Sequence, residues 1–432
     1  MNIVIEPFKS FIFCRSFSKD VIFFSILLLL IPIVLITGPA LPDIFLSLIA
    51  LYFLLKSIQN KLWNYYKNPI FFGFIIFSSY GVIRSLFSDM PIESLTNEGS
   101  MFYFRYIFFS MGVWYLLDKN PYLSKCLLIT SLLCFIVVSL DGIYQYLIGK
   151  SIFGMIKERE FRLTGLFGDE PIIGRYISYL SLFTFTLIYQ NFKITKKIIL
   201  LSIAFLVMSE VTVFLSGERA PLLYVTIFIF LIIIFLRQYR NYLIASLLVS
   251  IIILSLIMQI NPSAKTRVIN HSINEISETR YPFLPYNKNH EHHYISAIKL
   301  FIDNPIFGAG TNTYRYQCDK PKYNFESKCN SHPHHFYLQI LAELGFVGFL
   351  FISSFFLYLT YIGLKQLYFM IIKREKKQIP TDFLLFAMIL FVFWFPFIPH
   401  MSLYNNWNNV LMMLPLGFFM RNFYSRIDNG NN

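Results

Sequence analysis

The sequence predicts an all-α integral membrane protein of about twelve transmembrane helices with one long loop on the non-cytoplasmic face. Three observations carry that expectation: composition, the spacing of apolar runs, and the placement of Lys and Arg. Of the 432 residues, 56% are hydrophobic types and only 14% are charged, and the mean hydropathy is +0.56. A water-soluble domain must wet its surface and cannot hide that much apolar area. A bilayer accepts it. The chain holds 49 Phe and 28 Tyr, a load that suits lipid contact and interfacial belts. The formal net charge of +13 therefore reads first as topology and not as nucleic-acid binding.

Apolar runs close to the ~20 residues of a spanning helix lie near 21–37, 41–58, 69–87, 101–117, 123–148, 171–190, 198–215, 220–236, 241–260, 335–362, 382–399 and 407–423. Lys9, Arg15 and Lys19 precede the first run as in a signal peptide. That run is long and another follows at once, so it is expected to be retained. No soluble domain or repeat stands out, and residues 1–432 read as a single polytopic domain.

Charge tests the count. With the N-terminus in the cytoplasm, the cytoplasmic segments carry Lys56, Lys61 and Lys67; Lys119 and Lys125; Lys193, Lys196 and Lys197; Arg237 and Arg240; Lys365, Lys373, Arg374, Lys376 and Lys377; and Arg421 and Arg426. Each is basic, as the positive-inside rule asks of short loops. The even count puts both termini in the cytoplasm.

Positive charge on the outer face gathers at Arg84, at the 150–175 segment with Lys157, Arg162 and Arg175, at Arg219, and in the loop 261–334. Six of the eight His lie in that loop, and a seventh, His335, follows it. Arg219 sits in the tight turn Ser216-Gly217-Glu218-Arg219-Ala220-Pro221 between two apolar runs. An arginine at such depth needs an anionic partner. A phosphate or diphosphate would match its planar fork of donors; a salt bridge to Glu218 or Glu210 would also serve. Ionisable residues expected nearer mid-membrane are few: Arg105, Asp141 and Glu210.

The segment His332-Pro333-His334-His335-Phe336-Tyr337-Leu338-Gln339 joins the loop to a span. Pro333 fits a helix start, so a helix is expected from His334 or His335. A His in that first turn would be kept neutral by the helix dipole and could accept a proton. Three His in four residues could also hold a metal, although no carboxylate or Cys stands at matching ligand spacing. Gly308-Ala309-Gly310 fits a tight turn or a phosphate cradle. Cys318 and Cys329 share the outer loop, where a disulfide or two free thiols are the alternatives.

These pieces together resemble the bacterial O-antigen ligase and O-antigen polymerase superfamily. The match runs through Arg162-Leu163-Thr164-Gly165-Leu166-Phe167, Ser216-Gly217-Glu218-Arg219, Arg280, His293 to Phe301, Pro305-Ile306-Phe307-Gly308-Ala309-Gly310, His334-His335-Phe336-Tyr337-Leu338-Gln339 and Glu343-Leu344-Gly345-Phe346-Val347-Gly348. Residues 200–362 hold the signature region. The chain departs from the family pattern at His335, usually Asn, and at Ala220-Pro221, where Gly is usual.

The resemblance implies a GT-C-like, metal-independent membrane glycosyltransferase without a cofactor. Its place would be the bacterial inner membrane, with the site on the periplasmic face. The donor would be a glycan on a polyprenyl diphosphate. The acceptor would be a sugar hydroxyl of lipid A–core for a ligase, or a lipid-linked glycan for a polymerase. His334, with His335 second, would take the hydroxyl proton; Arg219, Arg280 and Arg162 would bind the diphosphate; Glu343 would support the histidine or its helix. The long outer loop with His-Pro-His favours the ligase. A transporter or flippase for lipid-linked sugars is the third reading, and it would need more ionisable groups at mid-membrane than these.

Overall fold

The computed structural model describes residues 17–96, 100–156, 162–260, 265–270, 273–274, 277, 288–325, 329–373 and 378–430. Among them no strand forms, and helices dominate. They are α1 (Lys19–Val34), α2 (Ala40–Gln59), α3 (Pro69–Leu86), α4 (Pro91–Thr96), α5 (Arg105–Lys119), α6 (Leu123–Ile148), α7 (Ile173–Asn191), α8 (Lys196–Leu215), α9 (Arg219–Phe235), α10 (Arg240–Ile260), α11 (Lys288–Asp303), α12 (Tyr314–Gln317), α13 (Phe336–Ile371), α14 (Thr381–Phe393) and α15 (Asn406–Gly430).

Each of the twelve expected apolar runs coincides with a helix. By length and apolar composition, seven helical segments among the described residues can cross a bilayer: Lys19–Thr37, Ala40–Gln59, Pro69–Leu86, Leu123–Ile148, Lys196–Leu215, Arg237–Ile260 and Phe336–Ile371. The helices Arg219–Phe235 and Thr381–Phe393 are apolar but shorter. The outward faces match this reading. Leu48, Leu51 and Leu55 on α2 and Ile251, Ile252 and Leu256 on α10 are exposed. In water such a patch would be an aggregation site; in lipid it is solvated. The chain is thus an all-α, multi-pass membrane protein.

Packing places the ends of the helices. α2 and α15 both pack on α5 and touch each other. α7 packs between α6, α8, α9 and α14, and α13 bridges α11 to α14. Pro32 interrupts the backbone bonding of α1, and the Tyr176 hydroxyl donates to its carbonyl at 2.6 Å. Trp407 donates its indole N–H to Leu35 O at 2.8 Å, tying α1 to α15. Arg105 is not at mid-membrane depth. It is the first residue of α5 and pairs at 2.8 Å with Asp43, in the first turn of α2.

The segment read from sequence as a loop contains α11, which packs on α13. Tyr294, Ala297 and Leu300 form its buried face, spaced as one side of a helix. Polar His, Glu and Lys on the same helix lower its mean hydropathy, so the apolar-run criterion passes over it.

Candidate active site

The start of α13 is built by its own side chains. His335 is the N-cap, with extended φ −152° and ψ 105°. Its Nδ1 accepts from Leu338 N–H at 3.3 Å, satisfying a donor that the helix cannot. Its Nε2 lies 2.8 Å from Pro396 O. A carbonyl only accepts, so Nε2 carries the proton and both ring nitrogens are engaged. Burial pushes the ring down to about 4, which keeps it neutral. The helix therefore begins at Phe336, after both histidines.

His334 precedes the helix and takes the left-handed conformation, φ 56°, uncommon for a residue with a Cβ. Its carbonyl accepts from His400 N–H at 2.9 Å. Its Nε2 faces Asn330 Nδ2 at 2.9 Å. Asn330 Oδ1 accepts from Ser331 N–H at 2.7 Å, which orients the amide and leaves Nδ2 as donor. His334 Nε2 is therefore the acceptor nitrogen, with the proton on Nδ1. The ring is pushed down to about 3 by burial first, then by the neighbouring His290 and His293 and the Arg175 charge. The helix dipole invoked from sequence is not the cause, because His334 stands outside the first turn.

Other imidazoles crowd this one. Ring centroids of His290, His293 and His332 lie 4.7, 5.3 and 4.3 Å from that of His334. His290 and His293 come from one face of α11, three residues apart. Burial pushes His290 down to about 4, helped by His293 and by Arg219, so Arg219 lies within electrostatic reach of the ring that faces His334. Among the described residues, no set of three or more His, Cys, Asp or Glu is arranged to hold a metal ion.

Glu218 organises the arginines. Its Oε1 accepts from Gly174 N–H at 2.7 Å and Arg175 N–H at 3.3 Å, capping α7 from another segment. Leu163 N–H donates to Ser216 O at 3.3 Å, which lays the Arg162 segment beside the Ser216–Glu218 turn. Burial raises the Glu218 carboxyl, and the Arg175 and Arg162 charges oppose that. Arg175 and Arg162 thus lie within electrostatic reach of one buried carboxylate that caps α7, and Arg219 is the next residue in the chain after it. Arg280 lies outside the described residues. Sequence reasoning named Arg175 only among the outer-face charges and His293 only as the start of a motif piece, gave neither a role in the site, and did not single out His290. The signal available was the i, i+3 spacing of His290 and His293 and an Arg four residues past the start of the apolar run 171–190.

The remaining motif pieces brace the site. Gly345 breaks α13 with φ 65° and ψ −165°. The carbonyls freed at Ala342 and Glu343 accept from Ala309 and Gly310 N–H at 2.9 and 2.8 Å, and the freed N–H groups of Phe346 and Val347 donate to Pro305 and Ile306 O at 2.8 and 3.2 Å. Arg84 Nε donates to Gly308 O at 2.7 Å. Residues 305–310 are therefore a turn docked on a broken helix. Glu343 accepts from Asn312 and Tyr314 N–H at 2.9 and 3.0 Å and from Gln339 at 3.3 Å. Cys318 and Cys329 form a disulfide with Cα atoms 5.4 Å apart. Cys318 Sγ also meets Asn330 O at 3.5 Å, next to the amide that holds His334.

Fold and site together define a multi-pass helical membrane protein with a histidine and arginine cluster where several helices begin. Residues 203–353, about a third of the chain, match the family described as O-Antigen ligase, which supports the resemblance to the O-antigen ligase and polymerase superfamily. The matched stretch runs from within α8 into α13 and includes Arg219, His334 and Glu343; Arg162 and Arg175 lie before it. No curated protein matches the chain.

Proposed function

We propose that this protein is an O-antigen ligase-like glycosyltransferase, moving a polysaccharide from a polyprenyl diphosphate to a sugar hydroxyl of lipid A–core. It would work at the periplasmic face of the inner membrane, with twelve spans and both termini in the cytoplasm. The observation that carries the reading is the acceptor nitrogen of His334, held at a left-handed residue among neutral imidazoles and beside arginines. The acceptor hydroxyl displaces Asn330 and gives its proton to His334 Nε2. Its oxygen bonds to the anomeric carbon of the donor as the bond from that carbon to the diphosphate breaks. The electron pair leaves with the lipid diphosphate, and Arg219, Arg280 and Arg162 neutralise it.

Burial first, and then the neighbouring His290, His293 and Arg175, keep the unliganded His334 ring neutral, so its Nε2 can accept a proton. The negative charge of a diphosphate bound nearby would favour the protonated ring. His335 and Glu343 serve the helix and the turn.

The test is surface lipopolysaccharide on a gel from a deletion strain complemented with wild type, His334→Ala or Arg219→Ala. We expect both variants to accumulate in the membrane and to lose O-chain, with lipid-linked polymer building up. Core bearing a single repeat unit would mean the polymerase reaction instead. Accumulation of single lipid-linked units inside the cell would mean a flippase and sink the transferase reading, as would full O-chain in either variant.

A further inference from the structure

The last turn of α6 reaches across to the segment that carries Arg162. Gln145, in that turn, is fully buried. A buried side-chain amide is destabilising wherever one of its polar atoms goes unmet. Here all of its hydrogen-bonding positions are used, and all on one stretch of chain. Oε1 accepts from Thr164 N–H at 3.0 Å and from Gly165 N–H at 2.8 Å. Nε2 donates to Thr164 Oγ1 at 3.2 Å and to Met155 O at 3.4 Å. Two N–H groups converging on one oxygen fix which way the amide points. We infer that Gln145 is a positioning residue that holds Arg162 where the donor diphosphate binds. The inference rests on the transferase reading above, in which Arg162 meets that diphosphate.

Asp141 stands one turn earlier on the same face of α6 and is also fully buried. Its Oδ1 accepts from Ile152 N–H at 2.7 Å. The chain is therefore tied to α6 at Ile152 and Met155 before Arg162, and at Thr164 and Gly165 after it. The fit is close. Gly165 has φ 55°, and a Cβ there would come within 2.9 Å of Ile173 Cδ1 and 3.2 Å of Asp141 Oδ2.

On its other side the same stretch meets the turn before α9, where Leu163 N–H donates to Ser216 O at 3.3 Å. That turn carries Glu218, which the Arg162 charge reaches, and then Arg219. A single bond of that length is a weak anchor, and the Gln145 amide supplies the stronger one. A guanidinium placed in advance loses less freedom when it meets an anion. Without the amide, the loss of order falls on the binding step, so the effect belongs to the donor and not to the acceptor.

The test uses the full chain in nanodiscs. The donor is the polyprenyl-diphosphate-linked polysaccharide extracted from the deletion strain, and the acceptor is lipid A–core from the same strain. Transfer is measured for wild type, Gln145→Met, Gln145→Asn, Arg162→Ala and the double variants that combine each Gln145 change with Arg162→Ala, all checked for an unchanged size-exclusion profile. Met keeps the volume without the bonds; Asn keeps the amide but is one methylene too short to reach both N–H groups. We expect each single variant to raise the donor KM roughly tenfold, the contribution of one charge-assisted hydrogen bond, and to leave the acceptor KM unchanged. The double variants should also rise roughly tenfold and not a hundredfold, because both changes remove the same contact. Additive effects of the two sites, a rise in both KM values together, or a wild-type donor KM in both Gln145 variants would overturn the positioning role. An unchanged donor KM in Arg162→Ala would overturn it as well, by removing the residue through which Gln145 acts. The lipopolysaccharide gel reports separately on the transferase reading, which stands if O-chain depends on His334 whichever way the Gln145 variants behave.

Discussion

Two adjacent imidazoles occupy different hydrogen-bonding positions, and the difference can be tested by a swap. His335 uses Nδ1 as an N-cap acceptor and Nε2 as a donor to Pro396; His334 presents Nε2 as acceptor to an exposed Asn330. Asn is among the best N-cap residues because its side-chain oxygen reaches the same orphan N–H. This explains why a family pattern with Asn at that position tolerates His here. We expect His335→Asn to retain transfer, and His335→Ala to lose about 1 kcal/mol of stability, read as a drop in Tm in detergent. His334→Asn, although isosteric in part, should abolish O-chain on the gel. If His335→Asn is as inactive as His334→Asn, the ring at 335 acts in the chemistry and the assignment to 334 is wrong.

At the scale of elements, the unit to probe is the docking of residues 305–310 onto the break in α13. A Cβ at Gly308 would run into the backbone of Glu343 and Leu344, and one at Gly345 into that of Ile306 and Gly308. Both residues also have positive φ. Gly345→Ala should therefore cost about 2–4 kcal/mol, from strain and overpacking together. The measurement is the yield of monodisperse protein by fluorescence-detected size exclusion; a yield equal to wild type would show that the break tolerates a side chain. The same elements show what a sequence can disclose. The apolar helices are legible because each buries a long run in one solvent. α11 is not, because polar Glu291, His292, His293 and Ser296 are buried along with its apolar residues and break up the run. The motif pieces around Gly308 and Gly345 are visible as glycines at a spacing, but their mutual hydrogen bonds join segments more than thirty residues apart and leave no local trace. Arg175 is hidden for a similar reason, since its importance comes from a carboxylate donated by the Ser216–Arg219 turn.

Across the whole molecule, α2, α5, α7, α9, α13 and α15 all begin at one end. Carried by side chains, the connections run from Asp43 to Arg105 to Asn406, from Gly174 to Glu218, from Tyr224 to Pro399 and from Gln339 to Leu403. The positive ends of these helix dipoles therefore gather around the histidines and arginines, an arrangement that favours an anionic substrate. The basic segments between the other helix ends lie at the opposite end, and under the proposed orientation they face the cytoplasm, as the positive-inside rule asks. The consequence is a labelling pattern. Ile92, on the short helix α4, and Phe153, in the turn after α6, are exposed at the site end and should react as Ile92→Cys and Phe153→Cys with a membrane-impermeant maleimide in intact spheroplasts. Lys193→Cys, in the turn between α7 and α8, should react only after permeabilisation. Among the described residues Cys126 and Cys134 are buried, and Cys318 and Cys329 are bonded to each other; with Cys14, which lies outside them, changed to Ser in the same background, reaction reports on the introduced thiol. Labelling of Lys193→Cys in intact spheroplasts would invert the bundle. It would place His334 in the cytoplasm and remove the periplasmic setting on which transfer to lipid A–core depends.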